Sequence, residues 1–163
     1  SDIGGHIDVR SQPDRGTEVR VTLPPTRAGL QEKRQEMQAK PNRRGRILIV
    51  DDEALVGMAV RRALTPDHDV LYVGSAEEAL QLLVSGQDFD LVLCDLMMPV
   101  MTGMDLYGRV LELSPALADR IVFLTGGAFT PRARAFLDQV PNARIEKPFD
   151  LPTLEDLVQK RLA

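Results

Sequence analysis

Five short apolar runs punctuate the chain after residue 46: ILIV at 47–50, VLYV at 70–73, LVLC at 91–94, IVFL at 121–124 and a weaker ARI at 143–145. Each is too short for a helix. Each is continuous rather than alternating, the pattern of a strand buried on both faces. Between the runs the period changes. Val56, Val60, Ala63 and Leu64 share one helical face, as do Ala76, Ala79, Leu80 and Leu83, and Ala133, Phe136, Leu137 and Val140. Start signals agree: Ser75 with Glu78 reads as a capping box, Thr130 precedes Pro131, and Asp150 precedes a last helix over 151–162. Strand–helix alternation repeated five times predicts an α/β fold, a doubly wound five-stranded parallel sheet with helices on both faces.

The first part of the chain is different. Residues 6–23 contain HIDVR and TEVRVTL, which alternate with period two around the turn-rich SQPDRG, and predict a hairpin. A lone hairpin is marginal in water, and its natural sheet is not evident in the chain. Residues 27–40 are polar and rich in helix formers, with too few apolar positions for a core stripe, so they read as a helical or disordered linker closed by Pro41 and Gly45. Three segments follow: 1–25, 26–45 and 46–163. The chain starts at Ser1 rather than Met and is expected to be a piece of something longer.

Charge divides along the same line. Residues 1–46 carry 10 basic and 6 acidic side chains, and residues 47–163 carry 10 and 18. An acidic second part argues against a nucleic-acid partner there, and the cluster Arg43, Arg44 and Arg46, which could suggest a nucleic-acid or membrane patch, reads more simply as a solvated run. No apolar run approaches the roughly 20 residues of a membrane span, so no membrane contact is expected of this stretch. The one cysteine, Cys94, allows no internal disulfide, which fits a reducing, cytoplasmic setting.

Polar residues fall at one end of the runs. Asp51 and Asp52 follow the first, Asp95 the third, Thr125 the fourth and Lys147 the fifth. In an open parallel sheet these ends share one edge, where ligands bind at the switch in strand order. One Asp alone after a strand is most simply a helix cap. Five polar groups at the same edge are not explained that way. Three carboxylates together raise one another's pKa unless a cation sits among them, and a hard divalent ion with oxygen ligands, most simply Mg²⁺, meets that need. With Lys147 as a second cation and the Thr125 hydroxyl as a donor, the crevice suits a phosphoryl group. Asp95, ending the most apolar run, is the carboxylate placed to accept it as an acyl phosphate.

The motifs ILIVDDE, LVLCDLMMPVMTGMDL, IVFLTGG and IEKPFD, in this order and spacing over about residues 46–162, resemble the receiver domain of two-component response regulators. The resemblance implies a flavodoxin-like sheet of order 2-1-3-4-5. It also implies Asp95 as phosphoacceptor, Asp52 binding Mg²⁺ directly, Asp51 binding it through water, and the Met97 carbonyl as a further ligand. Lys147 and Thr125 would contact phosphoryl oxygens, and Cys94 would point into the core. The implied partner is a phosphohistidine donor, either a kinase domain of the same protein or a histidine phosphotransfer protein. Many receivers carry an aromatic switch residue where this chain has Arg144.

GGHIDVRSQPDRGTEVRVTLP, in turn, resembles the closing strands of a histidine-kinase ATP-binding domain. Its nucleotide-binding motifs are absent from the chain, and His6 is not at the position of a kinase's phosphorylated histidine. The order of the two resemblances implies a hybrid sensor histidine kinase, itself free to be membrane-anchored. This fragment would then catalyse only its own phosphorylation and dephosphorylation. Two alternatives are a haloacid-dehalogenase-type phosphatase, which needs a second Asp where Met97 stands, and an interaction module without chemistry.

Overall fold

A computed structural model describes residues 6–12, 16–22, 44–126 and 130–163. The linker reading falls mostly outside the described residues, as does Gly127. The chain divides into two units, Ser1–Lys40 and Pro41–Ala163. In the first, β1 (His6–Gln12) and β2 (Gly16–Thr22) form the expected antiparallel hairpin, with His6 opposite Thr22 and Gln12 opposite Gly16.

The second unit runs β3 (Arg46–Val50), α1 (Ala54–Leu64), β4 (Asp69–Val73), α2 (Ala76–Val84), β5 (Leu91–Asp95), α3 (Gly103–Leu113), α4 (Pro115–Ala118), β6 (Ile121–Gly126), α5 (Pro131–Gln139), β7 (Arg144–Lys147) and α6 (Leu151–Leu162). All strand pairs are parallel and the order is β4-β3-β5-β6-β7, which is 2-1-3-4-5 counted within the sheet. The apolar runs are continuous because the sheet has a core on each face. Leu48, Val50, Val92, Cys94 and Phe123 pack toward α2, α3 and α5, while Ile47, Ile49, Leu93, Val122 and Leu124 pack toward α1 and α6. Each such side chain stabilises the fold by about 1.5–3 kcal/mol.

Most helix starts follow the sequence signals. Ser75 Oγ accepts the Glu78 N–H, one half of the expected box. Thr130 caps α5 through the Ala133 N–H, and Asp150 caps α6 through the Thr153 N–H. The fully reciprocal box is at α3, where Thr102 and Asp105 each accept from the other's backbone. Tyr107, Phe123 and Phe136 pack edge-on at 5.3–5.9 Å and join α3 and α5 to β6. Among the described residues no helix is long and apolar enough to cross a membrane.

Candidate functional site

The sheet reverses its winding between β3 and β5, since the chain leaves β3 toward β4 and returns to β5 on the other side. A crevice opens there beyond the carboxyl ends of the strands. Asp51 follows β3 and is fully buried; Asp95 ends β5 and is 6% exposed; Asp52 is exposed at the mouth. A carboxylate oxygen from each lies within 4.8 Å of the other two. Lys147, the last residue of β7, reaches over with its Nζ 2.8 Å from Asp51 Oδ2 and 3.3 Å from Asp95 Oδ2. The structure thus brings four of the five predicted polar residues together.

Backbone groups fix the carboxylates. Asp51 Oδ1 accepts the Glu53 N–H at 2.9 Å, so Asp51 turns the chain into α1 as well as facing the crevice. The Met97 N–H reaches Asp95 Oδ1 at 3.4 Å. The Tyr72 hydroxyl donates to the Asp51 carbonyl at 3.0 Å. Glu53 adds a fourth carboxylate, 3.6 Å from Lys147 Nζ. Neither Tyr72 nor Glu53 stood out in the sequence. The signal for Glu53 was only its place after Asp51 and Asp52.

Four carboxylates around one ammonium leave a formal excess of three negative charges, four less one. Burial pushes the Asp95 carboxyl above the ordinary carboxylate range; Lys147 opposes this and the Asp51 charge adds to it. Burial also works against the charge on Lys147, but its hydrogen bond to Asp51 and the Asp95 charge outweigh that and raise its pKa. Lys147 is therefore held as a cation while the crevice remains over-supplied with oxygen anions. That donor set, all oxygen and net negative, fits a divalent hard cation.

Thr125, the fifth of these residues, has a partner of its own in this structure. It is buried in β6, and its hydroxyl donates to the Ile145 carbonyl at 3.3 Å, across the β6–β7 ladder. A bond from this hydroxyl to a phosphoryl oxygen requires it to leave Ile145. Thr125 also borders an open groove of about 530 Å³ with Leu137 and Arg144, apart from the acidic crevice. Arg144, at the aromatic position of many receivers, donates instead to the Leu137 carbonyl at 3.1 Å. That carbonyl is one of the last in α5, which lack intrahelical partners. Cys94 is fully buried in the core, as expected, and burial pushes its thiol pKa up.

The sequence of this unit matches the Response regulator receiver domain family over residues 47–159. The chain belongs to that family. Its receiver is 37% identical over 114 residues to protein-glutamate methylesterase/protein-glutamine glutaminase 2 of Cupriavidus metallidurans, covering 68% of this chain and 32% of that protein. It is 45% identical over 71 residues to the hydrogenase transcriptional regulatory protein HoxA of Bradyrhizobium diazoefficiens, covering 44% of this chain and 14% of that one. The chain thus spans a third or less of the length of these relatives. Among solved structures it resembles the chemotaxis protein CheY4 of Vibrio cholerae, with a TM-score of 0.63, 26% identity and coverage of 74% of this chain and 100% of that one. It also resembles the receiver domain of a signal transduction histidine kinase from Syntrophus aciditrophicus, with a TM-score of 0.63, 27% identity and coverage of 72% and 89%. As a receiver, the protein is a phosphoacceptor domain of a two-component system. Receivers take phosphoryl groups from histidine kinases or phosphotransfer proteins, and they generally bind Mg²⁺ at an acidic pocket such as this one.

Proposed function

We propose that Asp95 of this receiver accepts a phosphoryl group from a phosphohistidine, and that Asp51, Asp52, Asp95 and the Met97 carbonyl would hold the Mg²⁺ that assists it. The observation that carries this reading is the Lys147 ammonium 3.3 Å from Asp95, with the Asp51 and Asp52 carboxylates within 4.8 Å of it. An Asp95 carboxylate oxygen attacks phosphorus; the P–O bond forms as the P–N bond to imidazole breaks, and the leaving nitrogen takes a proton. Lys147 balances charge on the phosphoryl oxygens, and the Thr125 hydroxyl, once free of Ile145, donates to one of them. Mg²⁺, when bound, supplies further neutralisation of those oxygens. The haloacid-dehalogenase alternative lacks its second acid, because Met97 stands there. Acetyl phosphate with Mg²⁺ should add one phosphoryl group to the chain, seen as a single mass increment. Steady turnover of phosphomonoesters would favour the phosphatase, and no reaction at all would leave an interaction module.

The parent is proposed to be a cytoplasmic or membrane-anchored hybrid sensor histidine kinase. Its support is the likeness of the β1–β2 segment to the end of a kinase ATP-binding domain, with the receiver following.

Asp52 is the exposed member of the cluster and the first oxygen an entering cation meets. Asp52→Ala should abolish Mg²⁺ binding by calorimetry. Unchanged affinity would remove Asp52 from the ligand set.

The acyl phosphate should be long-lived. Hydrolysis needs a water in line with phosphorus, and the resemblance to receivers implies that the positions two after the acceptor and two after the threonine, Met97 and Gly127 in this sequence, flank its approach. A thioether is at best a weak acceptor and glycine has no side chain, so neither orients a water. General-base assistance, worth roughly 10²–10⁴-fold elsewhere, is absent from these positions. Met97→Asn should speed loss of the phosphate tenfold or more. Loss from the wild type within seconds, without a partner, would mean that another group holds the water.

A further inference from the structure

The turn that carries Asp51 and Asp52 is braced from several sides. The Asp51 N–H donates to the Val73 carbonyl at 3.3 Å, Asp51 Oδ1 accepts the Glu53 N–H, and the Glu53 carbonyl accepts the Gly57 N–H at 3.0 Å. The Asp51 carbonyl is held by a side chain: the Tyr72 hydroxyl, from β4, donates to it at 3.0 Å. Tyr72 is half-buried and packs with Val56 against the core between the sheet and α1. Phenylalanine would serve that packing equally well, so the apolar contact does not account for the hydroxyl.

Helix α1 is shaped to receive the ring. Gly57 lies buried inside it, where glycine is destabilising relative to alanine. A Cβ at Gly57 would stand 2.2 Å from Tyr72 Cε2 and 2.6 Å from Cδ2. Glycine therefore makes room for the ring, and the ring in that place brings its hydroxyl to the Asp51 carbonyl. The bond matters because of the peptide it holds. The Asp51 carbonyl belongs to the planar unit that joins Asp51 to Asp52. Only two soft torsions, ψ of Asp51 and φ of Asp52, act between the two α-carbons, and both rotate about that plane. Holding its oxygen fixes the direction in which the exposed Asp52 leaves the buried Asp51.

We propose that Tyr72 is a positioning residue for the cation: by holding the Asp51–Asp52 peptide, its hydroxyl keeps the two carboxylates in one mutual arrangement and so favours Mg²⁺ over Ca²⁺. This rests on the reading of Asp51 and Asp52 as Mg²⁺ ligands. Mg²⁺ demands near-ideal octahedral geometry, whereas Ca²⁺ accepts a larger and more flexible shell. A pinned pair of carboxylates therefore serves the smaller ion more than the larger one. Gly57 belongs to the same device, since it decides where the ring can lie.

The test is calorimetric titration of the full chain with MgCl₂ and, separately, with CaCl₂. Tyr72→Phe keeps the ring beside Gly57 and removes only the hydroxyl. Its Kd for Mg²⁺ should rise about fivefold, the size of one hydrogen bond's net contribution. Its Kd for Ca²⁺ should rise less than about twofold, because that ion tolerates the loosened pair. Gly57→Ala reaches the same bond from the other side, by displacing the ring, and should weaken Mg²⁺ to a similar extent. Combining the two substitutions should leave Mg²⁺ affinity within about twofold of Tyr72→Phe alone, since both act through one hydroxyl. Unchanged Mg²⁺ affinity in Tyr72→Phe would overturn the proposal. A lower melting temperature with that affinity unchanged would do the same and make Tyr72 a structural residue. Equal losses for Mg²⁺ and Ca²⁺ would overturn the selection, and additive losses in the double variant would separate Gly57 from it. A wild type that takes up no Mg²⁺ would instead overturn the cation site on which the inference rests.

Discussion

Asp95→Asn should abolish phosphorylation by every donor and at the same time raise the melting temperature. The two effects have one cause. Asn offers no anionic oxygen to attack phosphorus, so intact mass should show no phosphoryl increment after acetyl phosphate and Mg²⁺. The same substitution removes a charge whose burial is unfavourable: the Asp95 carboxyl is pushed up by burial, and Lys147 only partly offsets this. An acid whose pKa is raised by folding costs nothing while protonated in both states. It costs stability as the pH rises from its unfolded value through its folded one. Without divalent ions, the variant's advantage in melting temperature should therefore vanish below about pH 4 and grow as the pH rises above it. Lys147 keeps Asp51 at 2.8 Å and Glu53 at 3.6 Å in the variant, so it is not left unpaired. A variant that still takes one phosphoryl group would move the acceptor elsewhere. A lower melting temperature at neutral pH would mean that the Asp95–Lys147 pair stabilises the fold.

Gly103→Ala should damage fold and site together. A Cβ at Gly103 would stand 2.3 Å from the Asp95 carbonyl oxygen and 3.0 Å from Leu96 Cα. These are backbone atoms of β5 and the loop after it, and they cannot swing aside as a side chain would. The Gly103 N–H donates to the Leu96 carbonyl at 3.1 Å, so α3 begins against the strand that carries the acceptor. Relief requires either α3 or the end of β5 to move. Overpacking of this kind costs about 2–3 kcal/mol, roughly 5–15 °C in melting temperature at this size. Displacing Asp95 by about 1 Å should slow acetyl-phosphate labelling by up to 10²-fold. Gly108, in the same helix, is the control: its Cβ would meet nothing within 4 Å. Gly108→Ala should stabilise by about 0.8 kcal/mol through helix propensity alone and leave labelling unchanged. Equal outcomes for the two glycines would refute the close-approach argument.

The sheet was legible because its signal is local and repeated. Each of the five runs at 47–50, 70–73, 91–94, 121–124 and 143–145 became a strand, the last shifted to Arg144–Lys147. The caps at Ser75, Thr130 and Asp150 lie next to the helices they start, so short-range pattern suffices to find them. Helix α3 was harder to place. Its box, Thr102 with Asp105, follows a loop of apolar residues that obscures the boundary.

The sequence by itself determined which carboxylates and which lysine share an edge. In a parallel sheet the end of every strand is fixed once the strands are known, and Asp51, Asp95 and Lys147 stand at those ends. Only the tertiary structure decided what each group does there. Lys147 crosses from β7 to sit among Asp51, Asp95 and Glu53, a set of partners set by the lateral order of the strands rather than by spacing along the chain. Thr125 turns its hydroxyl to Ile145 because the neighbouring strand offers a carbonyl at hydrogen-bonding distance. The positive φ of Val100 was equally hidden, since nothing in a valine announces it. It arises where the chain must leave β5 and turn within a few residues to start α3 against the Asp95 carbonyl.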